Sequence, residues 1–128
     1  MKTVLAAALL ASGVAVFSAW AVSAAWAAEE ITIHTATAGE LADTCAANPR
    51  EPAADARLNF CRGFAQGAID VEMHHAGEHK LFCFPHPSPS RAETMSQFVS
   101  WVRAMPDRSS MPSDEGLFKF LGERFPCK

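Results

Sequence analysis

Cys61-Arg62-Gly63-Phe64-Ala65-Gln66-Gly67-Ala68-Ile69-Asp70 is the stretch on which the fold turns. Leu58, Cys61, Phe64, Ala65, Ala68 and Val71 recur at helical spacing and form one apolar stripe. Phe60, Gly63, Gly67 and Asp70 form the neighbouring one. The spacing predicts a helix over 53–76, with Pro52 in its first turn, where a missing N–H costs nothing, and Gly77 ending it. Each glycine costs a helix roughly 1 kcal/mol relative to alanine. Close approach of another backbone at Gly63 and Gly67 is the expected compensation. Asp70, next on that stripe, is expected to be packed and to need a partner such as Arg62, Arg103 or backbone amides.

Working outward, Thr37-Ala38-Gly39-Glu40 has the form of a capping box, in which the Thr hydroxyl takes the N3 amide and Glu reaches back. It opens a short helix with Leu41 and Cys45 one turn apart, which stops before Asn48-Pro49. Downstream, Pro85, Pro87 and Pro89 forbid a helix until Ser90-Arg91-Ala92-Glu93, a second capping box. The third helix turns Met95, Phe98, Val99 and Val102 inward, keeps Trp101 at its flank, and closes before Pro106. A polar, serine-rich tip runs over residues 107–112. Ser113 is expected to cap a fourth helix, in which Leu117, Phe118, Leu121 and Phe125 recur. Only the arm at residues 29–36 alternates, with Ile31, Ile33 and Thr35 against Thr32 and His34. The fold class is all-α, most simply a small four-helix assembly.

Four cysteines allow three pairings. Cys45 falls near the end of the first helix and Cys61 in the early turns of the second. Cys83 precedes the third helix and Cys127 follows the fourth, so both lie at one end of that hairpin. The expected disulfides are therefore Cys45–Cys61 and Cys83–Cys127, worth roughly 3 and 4 kcal/mol by the chain-entropy model. A core this small has a slender margin without them. Metal ligation is not expected of the cysteines, since there is no CxxC pair among them.

Residues 1–27 read as a signal peptide: Lys2 supplies the positive start, Val4 to Val22 the apolar run, and Ala25-Trp26-Ala27 the cleavage site. An uncleaved anchor is the alternative, since the apolar run is just long enough to span a bilayer. The mature domain is then 28–128, exported and free of the membrane. Its formal charge, −3 with the leader, becomes one unit more negative when Lys2 leaves. That balance argues against nucleic acid, which attracts basic surfaces.

His74-His75-Ala76-Gly77-Glu78-His79, after Glu72, is the one ligand-rich run. Gly77 falls between His75 and His79 and ends the helix they would share, so a polar helix terminus is expected rather than a metal site. No nucleophile with its base, G-x-S-x-G or H-E-x-x-H motif, or phosphate-cradling glycine loop is present. The chain reads as a binder, not an enzyme, and no cofactor is expected. A loop between helices can enter a partner's cleft, and Asp107, Arg108, Ser109 and Ser110 at the tip are the candidate partner-binding residues.

Taken in order, Thr37-Ala38-Gly39-Glu40-Leu41 to Cys45, Cys61-Arg62-Gly63-Phe64 with Gly67 and Asp70, Cys83-Phe84-Pro85, Gln97 to Pro106, and Phe125-Pro126-Cys127 resemble the Rap/Tai family of type VI secretion amidase immunity proteins. The resemblance covers essentially the whole mature chain. It implies a periplasmic, all-helical, disulfide-bonded protein, often a homodimer, that plugs the active site of a peptidoglycan amidase. The matched positions hold the fold, so the contact surface does not transfer with them. The competing reading is a periplasmic acid-stress chaperone without a toxin. Five histidines and 14 carboxylates would charge it positive as pH falls.

Overall fold

The computed structural model describes residues 30–128, so the expected signal peptide at 1–27 lies outside the described residues. Four α-helices follow in chain order: α1 (Ala38–Cys45), α2 (Ala54–His75), α3 (Arg91–Arg103) and α4 (Ser113–Arg124). A short 3₁₀ helix, Pro106–Ser110, stands between α3 and α4 where the polar tip is expected. Among the described residues there is no strand, only one isolated antiparallel bridge between Thr37 and Pro112. The fold is all-α.

Local chemistry sets the helix ends. The Thr37 backbone N–H donates to Glu40 Oε2 at 3.1 Å and Thr37 Oγ1 accepts from the Glu40 N–H at 3.3 Å, which completes the capping box of α1. At α3 half of the second box forms. Ser90 Oγ accepts from the Glu93 N–H at 3.1 Å, while the Glu93 carboxylate turns to Gln97. α2 begins one residue later than expected and ends one earlier. Ala53 at its N-cap is left-handed, with φ 61°, which leaves Pro52 outside the helix instead of in its first turn. Gly77, at φ 56°, takes the left-handed position past the other end. Ser113 does not cap α4. It is the first residue of the helix, with Pro112 at the N-cap, and its N–H donates to the Ala36 carbonyl at 3.1 Å. The backbone bond that tethers the arm has taken Ser113 out of the capping position.

The core is built by α1, α3 and α4 around Leu41, Phe98, Val102, Leu117 and Leu121, all nearly inaccessible. α1 lies in the middle and packs on the other three helices and on the 3₁₀ turn. Its contact with α4 is close: a Cβ at Gly116 would come within 2.6 Å of the Ala38 Cβ. Phe120 meets Phe98 edge-on at 5.7 Å. Phe82, fully buried although it sits in the irregular link after α2, stacks on Phe118 at 6.4 Å. Burying a phenylalanine side chain contributes about 1.5–3 kcal/mol, so Phe82 and Phe120 are substantial parts of a core that helical periodicity alone did not assign to them.

Both expected disulfides are present, Cys45–Cys61 across 16 residues and Cys83–Cys127 across 44. The first fastens α1 to α2. The second fastens the irregular link to the segment following α4. No free cysteine remains.

Candidate functional site

The tip at residues 107–110 divides into two kinds of residue. Arg108 lies against the body of the protein: its Nη1 donates to the Trp101 carbonyl at 2.7 Å, and its guanidinium sits 4.1 Å over the Trp101 ring. Glu123 closes the arrangement by accepting from Trp101 Nε1 at 2.7 Å and pairing with Arg108 Nη2 at 3.8 Å. Together these contacts clamp the 3₁₀ turn onto α3 and α4. Ser109 backs onto Gly39, where a Cβ would meet its carbonyl oxygen at 3.0 Å. Asp107, Ser109 and Ser110 are exposed, and Ser110 Oγ donates to the Asp107 carbonyl at 3.0 Å. Of the four expected contact residues, three face solvent and Arg108 positions them.

α2 offers the other surface. Of its 22 residues only Ala54, Cys61 and Ala65 are buried. Leu58, Phe64 and Ala68 are half-buried, as their place on the inward stripe requires, but Val71 is 60 % exposed. The expectation for the second stripe is overturned. Nothing lies within 4 Å of a Cβ added at Gly63 or Gly67, so among the described residues no backbone approaches them. Asp70 is exposed and unburied too, and it pairs with neither Arg62 nor Arg103. It accepts from Gln66 Nε2 at 2.6 Å one turn back, while Arg103 bonds Asp43 at 3.2 Å. The periodicity correctly marks these residues as one face, but the face looks outward.

Phe60, Gly67 and Val71 therefore form an open ridge, with half-buried Phe64 at its base stacked on Phe60 at 6.3 Å and gaps beside them at the glycines. On the opposite flank of α2 a groove of about 270 Å³ runs against α3, lined by Ala65, Ile69, Phe84 and Met95 with Gln66 and Arg91 at its polar positions. The signal for the ridge is in the sequence. A helix carrying two apolar stripes, one of them with paired glycines, has one more face than a small core can cover.

The histidine run lies at the end of α2. His74 and His75 close the helix with their rings 5.2 Å apart, edge to face, and His79 follows in the next turn, its N–H donating to the Ala76 carbonyl. With Gly77 left-handed between them, His75 and His79 share no helical face. Among the described residues no helix is long and apolar enough to cross a membrane.

A family model for Rap1a immunity proteins matches residues 37–127. No curated protein and no solved structure matches the chain. The matched span opens on Thr37, the residue that caps α1, and closes on Cys127, the last sulfur of the second disulfide. It takes in all four helices and the residues that terminate and fasten them. The chain belongs to the Rap1a immunity protein family.

Proposed function

We propose that this protein is a periplasmic immunity protein that binds a peptidoglycan amidase effector of a type VI secretion system and occludes its active site, with the outer face of α2 as the main contact. Membership of the immunity family supports a partner effector protein. Two disulfides together with that family support export.

The observation that carries the surface assignment is the sparse burial of α2, with three residues covered out of 22. Phe60 and Val71 stand out as anchors, and the gaps at Gly63 and Gly67 admit a partner's backbone or ring against the helix. Anchors at the centre of an interface work best when surrounded by groups that exclude water. Asn59, Asp70 and His74, all exposed on the same side of α2, form such a polar border. The tip contributes Asp107, Ser109 and Ser110 as hydrogen-bonding groups, held in place by the Arg108 clamp. The fold needs no movement to present either surface, so binding would cost little ordering entropy. A homodimer through α2 is the competing occupant of the ridge.

The test uses the mature protein as bait on periplasmic extract, then measures hydrolysis of purified peptidoglycan by whatever amidase is retained. Capture of an amidase whose hydrolysis stops at one equivalent of bait is the expected result. An extract that yields no amidase, or an amidase still active in excess bait, removes this function. The mass of the free protein in solution separates the homodimer from an unoccupied ridge.

A further inference from the structure

The two disulfides stand in unlike surroundings. Cys61 is 2 % exposed and bonds half-buried Cys45 between two helices, α1 and α2. Cys127 is exposed and bonds half-buried Cys83, joining two segments that lie outside any helix. Lys128 follows Cys127 directly, and the Cys127 Sγ is 3.7 Å from the Lys80 carbonyl oxygen. Other contacts hold the same junction. The Cys83 N–H donates to the Phe125 carbonyl at 2.8 Å, Phe82 and Phe125 are buried, and the rings of Phe84 and Phe125 stand 5.1 Å apart.

We propose that Cys127 is a thiol-exchange site, at which a dithiol opens the Cys83–Cys127 disulfide in the folded protein while Cys45–Cys61 stays closed. Exchange requires an attacking thiolate to reach a sulfur in line with the bond it breaks, so rate follows access. A thiolate of the dithiol attacks Cys127 Sγ, forms a mixed disulfide and expels Cys83 as a thiolate, which takes a proton from water. The second thiolate of the reductant then attacks its own sulfur in the mixed disulfide and expels Cys127. Two electrons pass to the protein, and the dithiol leaves as a cyclic disulfide.

The inner disulfide is less open: Cys61 is nearly inaccessible and Cys45 only half-exposed in a narrow pocket between α2 and α3, so neither of its sulfurs sits on an exposed residue as Cys127 does. Opening of the outer one is local by comparison. Phe82 and Phe125 remain in the core, and the freed groups are those around the disulfide in a broad surface cup formed by Phe84, Pro85, Phe125 and Pro126. The chain thus carries one crosslink that holds α2 against α1 and one that a dithiol can open and the matching oxidised disulfide can close again. This inference stands independently of the proposed effector.

The experiment treats the oxidised protein with dithiothreitol under native conditions, quenches aliquots with N-ethylmaleimide and maps the labelled peptides by mass. Cys83 and Cys127 are expected to label at least about tenfold faster than Cys45 and Cys61, as access to the sulfur dictates, with the helical circular dichroism signal unchanged at that stage. Equal labelling of all four, earlier labelling of Cys45 and Cys61, or helix loss with the first two thiols overturns the proposal. The double variant Cys83→Ser, Cys127→Ser should keep its helical signal and its Cys45–Cys61 bond. A variant that does not fold overturns it equally.

Discussion

In its 12 residues α4 buries Ser113, Gly116, Leu117, Phe120 and Leu121, whereas α2 buries three residues in 22. The two helices have similar periodic apolar patterns, yet one is embedded and the other lies along an edge, with α1 and α3 as its main neighbours. α4 is held by contacts from several directions. α2 is held by a disulfide to α1, by the Arg57 guanidinium, whose Nη2 donates to the Asp43 carbonyl at 2.9 Å, and by a partly open seam with α3. A covalent bond has relieved this helix of the need to bury both of its apolar stripes. The stripe left over is the surface an inhibitor needs, since a rigid apolar ridge costs little to immobilise when a partner covers it.

The contrast can be broken most forcefully in the core. Phe98→Ala should destabilise by about 3–5 kcal/mol, read from chemical denaturation, while Val71→Ala on the open ridge should stay within about 0.5 kcal/mol of the parent. Similar losses at both positions would mean that α2 is covered in solution. Next comes the staple. Cys45→Ser with Cys61→Ser should cost about 3 kcal/mol, and hydrogen exchange should accelerate in α2 well before α3 and α4. Uniform acceleration would show that α2 is not the separately held element.

Glycine variants sharpen the same comparison with opposite signs. Gly116→Ala drives a methyl group against Ala38 and should cost about 1–3 kcal/mol. Gly67→Ala meets open space and should raise stability by about 0.5–1 kcal/mol through helix propensity. A loss at Gly67 would reveal a neighbour in solution, a second copy of the chain being the first to check by mass. The tip carries the same contrast between a held and an open residue. Arg108→Ala should cost about 1–2 kcal/mol by removing the hydrogen bond and the ring contact; Asp107→Ala should change stability by less than about 0.5 kcal/mol.

Legibility in the sequence followed the range of the interactions. Thr37 with Glu40, Ser90 with Glu93, and Gly77 act within a turn, so their roles could be read from neighbours alone. The disulfide pairing was legible because helix order places each pair of cysteines at one end of a hairpin. Phe82 was not, because its burial depends on the return of α4 some forty residues later, through Phe118 and Phe125. Ser113 was misread for a related reason: its backbone serves the arm at Ala36, a contact that lies far away in sequence. The glycines of α2 mark a more general boundary. Spacing reports that Gly63 and Gly67 leave room for a close neighbour, and it carries no information on whether that neighbour belongs to the same chain. The same ambiguity misplaced Asp70, which is exposed and bonded to Gln66. At the candidate site, residues 107–110 were recognisable as a loop tip. The stack of Arg108 on Trp101 was not, since it joins two elements through a side-chain contact that has no sequence pattern.

Gly67→Trp puts the strongest demand on the proposed interface, because its side chain enters open space on α2 and leaves the core alone. The decisive measurement is peptidoglycan hydrolysis by the captured amidase in the presence of one equivalent of either protein. The parent should stop the reaction, and the folded, thermally unaltered Gly67→Trp variant should leave it running. Full inhibition by the variant would show that the effector does not sit on α2.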